Sequence, residues 1–208
     1  MSLTFAPPIA DRVVTLSTTW DPTTDPHVQV VAANTRQRLT VIHELLEMCC
    51  RQHGELLIPA PTWMAPGMHV DEVERTLQSA MEILEARLTA PETPLPMLTV
   101  FVDERHAIAS EARNEQQLHR INDAIRRLMS DGHRAGMHVI VGDVDVDPTL
   151  TGLACTVAVG PVNGSEREAL EAAFPAVHVP AVEDGEGWFF GTSSPAVRIK
   201  IWGGQRVS

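Results

Sequence analysis

The run from Met97 to Ala107, MLTVFVDERHA, constrains the fold more than any other stretch. Met97 to Val102 is apolar at every position but Thr99, so a strand formed over 97–103 presents greasy side chains to both sides of its sheet and needs cover on both. It is too short for a buried helix. The segment at 136–142, GMHVIVG, has the same character, β-branched and bounded by glycines. Two such strands argue for an α/β fold with helices on both faces of a mostly parallel sheet.

The rest of the chain supplies the helices that such a sheet needs. From Ala33 to His53 apolar residues recur at helical spacing, with Leu39, Ile42, Leu45, Leu46, Cys49 and Cys50 on one side and Gly54 as a stop. A second amphipathic helix is expected over Asp71 to Leu88, with Val73, Leu77, Met81, Leu84 and Leu88 on its stripe, and a polar helix from about Glu111 to Ser130. PAPTWMAPG and TAPETPLP read as loops. RVVTLST at 12–18 reads as a strand that TWDPTTDP breaks with two prolines. After residue 142 come LACTVAVG, a short helix SEREALEAAF, and a β-rich end with WFFG and AVRIKIW. The expected organisation is one domain over 1–208, with a core at about 12–160 and a β-rich part at about 161–208.

Composition narrows the partners. The 208 residues are 44% hydrophobic, enough for one sizeable core. No apolar run approaches the roughly 18 to 20 residues that span a bilayer, and MSLTFAPPIADR has neither a basic nor a long apolar leader region. A cytoplasmic protein without a membrane partner is expected. Cys49, Cys50 and Cys155 form no disulfide framework and read as reduced core thiols. Sixteen basic residues against 27 acidic ones give a net charge of −11, which argues against strong direct nucleic-acid binding.

Asp103 and Glu104 close the apolar strand at its C-terminal end, where open parallel sheets place their ligands. INDAIRRLMSDGHRAGMHVIVG then gives a basic helix, Arg134-Ala135-Gly136, Met137-His138 and the second buried strand. On these residues the chain resembles the FtsK/SpoIIIE family of DNA-pumping ATPases, including TraB-like conjugation proteins. TRQRLTVIHELLEMCCRQHGELL is similar to the family's helix with an E-M-x-x-R pattern, matched by Glu47, Met48 and Arg51, and TLSTTWDP to a strand ending in Asp-Pro-Lys, with Thr23 in place of the lysine. The resemblance spans about residues 12–160. It implies a RecA-like P-loop sheet, with Asp103 and Glu104 as the catalytic pair, Asp103 on magnesium, and Asp143 at the nucleotide-sensing position.

The departures from the family are as informative. A phosphate-cradling G-x-x-x-x-G-K-[ST] is absent, and the one lysine, Lys200 in VRIKIW, follows no glycine loop. Where the family has glutamine, Asp143 would repel a γ-phosphate. The expectation is therefore a RecA-like sheet truncated at its N-terminal strand, with the phosphate loop and first helix missing. Functionally this implies a degenerate FtsK/TraB-like domain that does not hydrolyse ATP alone and acts as a regulatory or binding partner in DNA translocation or transfer, with a protein partner or a second copy of itself. One alternative is half of a split ATPase that takes Mg-ATP only when another chain supplies the phosphate loop. Another is a phage or mobile-element protein that targets a host motor.

Other clusters read as decoys. His43-Glu44-Leu45-Leu46-Glu47 lacks the second histidine of a zinc-protease helix and reads as a solvated helix face. Asp143, Asp145 and Asp147 mimic the start of an EF-hand, but Pro148 and Ala154 occupy its glycine and glutamate positions, leaving a solvated acidic loop. The glycine between His133 and His138 should point them apart. Trp188, Phe189 and Phe190 read as hairpin core, with an exposed docking edge as the alternative.

Overall fold

The apolar strands pair as their composition requires. In the computed structural model, which describes residues 14–51, 55–57, 68–90, 96–160, 164–175, 177, 179–183, 185–192 and 196–201, the elements follow in chain order. They are β1 (Val14–Thr15), α1 (Leu16–Thr19), β2 (His27–Val31), α2 (Thr35–Arg51), β3 (Glu55–Leu57), α3 (Met68–Thr89), β4 (Leu98–Val102), α4 (Arg105–Glu111), α5 (Glu115–Asp131), β5 (Met137–Asp143), β6 (Cys155–Val159), α6 (Gly164–Ala173), β7 (Glu186–Phe190) and β8 (Val197–Lys200). A short 3-10 turn, Gly132–Ala135, links α5 to β5, and Gly136 closes it in the left-handed conformation (φ 63°).

The eight strands form one sheet in the order β1-β8-β7-β6-β2-β5-β4-β3. The run β6-β2-β5-β4-β3 is parallel throughout, whereas β7 is antiparallel to both β6 and β8. β4 lies inside the sheet between β3 and β5, with Leu98 opposite Met137 and Val102 opposite Val141, as two-sided apolarity demands. Alternation sends the two faces to different cores. Leu98, Val100, Val102, Met137, Val139 and Val141 pack under α3 and α5, while Ile140, with Val28, Val30 and Val157, packs under α2. Trp188 and Phe190 meet Leu170 of α6, and Phe190 stacks on Phe174 at 4.3 Å.

The fold class is the expected mostly parallel α/β sheet, and several details are corrected. The sheet has no gap in its middle. β2, which the sequence reading passed over, fills the place between β5 and β6 and leads through a short turn into α2, so a strand–turn–helix unit stands where a first strand and helix seemed to be missing. The strand expected at 12–18 is described only as Val14–Thr15; from Leu16 the chain is helical, with the Trp20 N–H donating to the Leu16 carbonyl. Asp21-Pro22-Thr23 does not end a strand, because the Asp21 carboxylate accepts from the Thr23 amide and hydroxyl in a local turn before β2.

The polar helix divides into α4 and α5, with the Asn114 carboxamide capping α5 by accepting from the Gln117 N–H at 2.9 Å. On α2, Leu39 and Cys50 are exposed while Gln37 and Arg38 are buried. Cys50 is therefore no core thiol. The WFF segment is core, each ring about 2% exposed, which overturns the docking-edge alternative. The expected stop at Gly54 and the loop at 59–67 lie outside the described residues.

Candidate functional site

Three chain crossings meet at the C-terminal ends of β2, β4 and β5. From β2 only Ala32, Ala33 and Asn34 separate the strand from α2. Asn34 turns its carboxamide back on the new helix, its Oδ1 accepting from the N–H groups of Arg36 (2.9 Å) and Gln37 (3.3 Å), so the first donors of α2 are met from within the chain. One turn later Arg38 enters the interior. Its side chain is 0% exposed, a position almost never given to an arginine without charged partners.

Those partners are the carboxylates singled out from the sequence. Arg38 Nε donates to Asp103 Oδ1 at 2.7 Å, Nη2 to Glu104 Oε1 at 3.4 Å, and Nη1 to the Ala32 carbonyl at 3.2 Å. The guanidinium thus touches the end of β4, the start of α4 and the turn that precedes its own helix. Asp103 fits because Gly142 of β5 has no side chain; a Cβ there would lie 2.1 Å from Asp103 Oδ1. Glu104 is the single non-glycine residue with positive φ among the described residues (φ 53°, ψ 46°), a left-handed conformation that costs an L-residue about 1–2 kcal/mol. Strain of this kind persists only where surrounding contacts impose it.

The second strand end, that of β5, carries Asp143 away from this cluster. Its Oδ1 accepts from the backbone N–H of His106 (3.2 Å) and of Val144 (2.7 Å), and lies 3.0 Å from His106 Nδ1. Asp147, four residues on, pairs with Arg105, which also donates to Asn122 Oδ1. Burial pushes the Asp147 carboxyl up, but the Thr149 amide and hydroxyl and the Arg105 charge together hold it below its ordinary value. The same loop is pinned to the sheet by Gln29, fully buried in β2, whose Oε1 accepts from the Asp147 N–H at 2.6 Å. Asp143 and Asp147 thus both bond to backbone around the end of β5, and of the three aspartates in the expected solvated loop only Asp145 is exposed.

The remaining sequence candidates fall elsewhere. His43 and Glu47 lie on the exposed face of α2, Glu47 paired with Arg51 at 3.0 Å. His138 is buried, its Nδ1 donating to the Pro26 carbonyl at 2.8 Å, while His133 is exposed. Among the described residues no group of three or more His, Cys, Asp or Glu side chains is arranged to hold a metal ion, and no helix is long and apolar enough to cross a membrane. Sequence reasoning missed Arg38, the residue that joins the site. Its signal was present: Arg38, Val41, Ile42, Leu45 and Cys49 share one helical stripe, and a charge inside an apolar stripe calls for a buried counter-charge.

Comparison with known proteins places this arrangement in a fold. No family model and no curated protein matches the sequence. Among solved structures the chain is similar to the pCW3 conjugation coupling protein TcpA in its monomer form with ATPγS, with a TM-score of 0.66 and 14% identity over 87% of this chain and 61% of that one. It is similar to the cytoplasmic domain of EssC (TM-score 0.59, 17% identity, 87% of this chain and 40% of that one). It is also similar to the genome packaging NTPase B204 of Sulfolobus turreted icosahedral virus 2 in complex with ATP-gammaS (TM-score 0.54, 12% identity, 86% and 98%). The sheet and its helices have the fold of these FtsK/SpoIIIE-like P-loop ATPases, and the chain spans less than two thirds of the length of the first two.

Proposed function

We propose that this chain is a degenerate P-loop-type domain that neither binds nor hydrolyses ATP on its own and acts as a regulatory or binding partner in DNA translocation or transfer. The observation that carries the reading is the junction between β2 and α2. A phosphate loop needs an eight-residue G-x-x-x-x-G-K-[ST] whose successive N–H groups wrap the phosphates while its lysine reaches the outer oxygens. Here three residues span the junction, Asn34 uses the helix's first donors, and no lysine is near in sequence. Magnesium-nucleotide does not fit the residues present.

The class of partner follows from the structures that share the fold, among them a conjugation coupling protein and a viral genome packaging NTPase. With a net charge of −11 the chain engages a protein, or a second copy of itself, more readily than a nucleic acid. In this reading it works in the cytoplasm. The place of β2 between β5 and β6 favours this reading over a split ATPase, which would need an incoming strand in the sheet.

Calorimetric titration with Mg-ATP tests the first half of the reading, and the expected result is no heat of binding up to the millimolar range. Micromolar binding would end it. For the second half, the chain is added to a purified FtsK/TraB-like DNA-translocating ATPase, and a change in DNA-stimulated turnover or a stable complex on gel filtration is expected. Unchanged turnover together with separate elution would refute the partner role.

A further inference from the structure

We infer that the Arg38 guanidinium is a built-in replacement for the divalent cation that the family resemblance places on Asp103, so that the charge of the two carboxylates is partly offset and the turn after β2 is joined to the end of β4 without metal or nucleotide. The inference deepens the reading above and rests on it.

The argument begins with what a divalent cation would use. Hard cations of the magnesium class take oxygen ligands, above all carboxylates, with backbone carbonyls in support. The oxygens that converge at this point are Asp103 Oδ1, Glu104 Oε1 and the Ala32 carbonyl, and each accepts a different N–H of one guanidinium. The arginine thus occupies the common focus of those oxygens. It carries one permanent charge, and its planar fork satisfies several acceptors at once. A metal entering beside it would meet a cation at hydrogen-bonding distance from the same ligands.

Its depth makes the replacement permanent. Arg38 is 0% exposed, and its backbone is fixed in the first turn of α2, where its N–H donates to the Asn34 carbonyl. Leaving the site would strip Asp103, itself 11% exposed, of its cation. In a site that cycles through metal and nucleotide, the contact between the β2 turn and the end of β4 is made and broken through the ligand. Here it is made by a side chain. The chain is therefore held in one arrangement, which suits a domain that presents a fixed surface to a partner.

The test uses the full chain with Mn²⁺ alone as the probe, followed by thermal melts and by the electron paramagnetic resonance of free Mn²⁺. The wild type is expected to melt at the same temperature with and without Mn²⁺, and its Mn²⁺ uptake to equal that of Asp103→Asn. Arg38→Met, which frees the three oxygens, is expected to melt about 6–20 °C lower. Mn²⁺ at a hundredfold excess over its dissociation constant should restore about 5 °C or more, and the restoration should vanish in Arg38→Met/Asp103→Asn. Wild-type uptake that depends on Asp103, or an Arg38→Met protein indifferent to Mn²⁺, would overturn the inference. Should Arg38→Met fail to fold, the wild-type comparison with Asp103→Asn decides alone, because it needs no arginine variant. The two readings fail separately: metal-free ATPγS binding by the wild type ends the proposed function and leaves the arginine's role standing, whereas metal uptake at Asp103 without nucleotide binding does the reverse.

Discussion

At the C-terminal ends of β4 and β5 half-buried carboxylates meet cations, Asp103 and Glu104 through Arg38 and Asp147 through Arg105. At the opposite end of the sheet, at the starts of β2 and β5, two buried histidines meet only backbone. His27 Nδ1 accepts from the Val139 N–H at 3.1 Å, and His138 donates to the Pro26 carbonyl. The first end depends on charge being present and paired. The second depends on charge being absent. Mutation of one partner should therefore damage the carboxylate end most, and acid should damage the histidine end most.

The largest effect is expected at Arg38. Replacing it with methionine keeps much of the apolar stem but leaves two carboxylates without their cation, and breaking a buried pair from one side costs about 3–5 kcal/mol. Urea melts at neutral pH measure it. A loss below about 1 kcal/mol would mean that the pair is solvated and that the two ends do not differ as described.

Acid tests the other end. Burial first, then the charges of His138 and His133, push the His27 pKa down to about 3, and burial also pulls His138 below its ordinary value. Between about pH 3 and pH 6.5 the unfolded chain therefore binds a proton at His27 that the folded chain refuses. Stability is then fully present above pH 6.5 and falls as the pH drops through that window, by on the order of a few kcal/mol. His27→Asn retains an acceptor toward the Val139 N–H without a basic ring, and its melting temperature should fall less steeply between pH 6.5 and 4.5. Parallel pH profiles for wild type and variant would remove His27 as the cause.

The difference between the two ends also explains how much could be read in advance. β4 and β5 were legible because apolar residues dominate both faces, with only Thr99 and His138 interrupting them before the strand ends, a pattern that depends on no partner. β2 was passed over because His27 and Gln29 interrupt its valines, and their burial is intelligible only once Val139, Thr156 and Asp147 are known to face them. Asp103 and Glu104 stood out as a pair, yet what they bind lies 65 residues upstream, in an arginine whose place inside the apolar stripe of α2 was passed over. α4 gave no start signal, since its N-cap is Glu104 in a left-handed conformation with no side-chain capping bond. Asp143 was assigned to a nucleotide on the resemblance, whereas its hydrogen bonds run to His106 and Val144.

Glu104 offers a smaller effect of opposite sign. Glycine adopts φ near 53° without penalty, so Glu104→Gly should relieve about 1 kcal/mol of strain, reduced by the loss of a long 3.4 Å contact to Arg38. A protein as stable as the wild type, or slightly more so, in urea is the expected outcome. Destabilisation by more than about 1 kcal/mol would show instead that the Glu104 side chain anchors the carboxylate end, making that end still more dependent on paired charge than Asp103 alone implies.

The smallest effect is expected from Glu47 and Arg51, two of the three residues on which the resemblance placed the E-M-x-x-R helix. They stand four apart on α2 at 3.0 Å, and their side chains are 51% and 77% exposed. An exposed pair at this spacing gains little, because water screens it and two long side chains must be ordered to form it. Glu47→Ala should change stability by no more than about 0.5 kcal/mol, and the change should shrink further in high salt. The control for the comparison is Arg38 on the same helix, where the same kind of charge pair is expected to matter about ten times as much because the water has gone. If Glu47→Ala proved as costly as Arg38→Met, burial would not be what distinguishes the two ends of α2, and the face carrying Glu47 and Arg51 would have to be covered by a partner in solution.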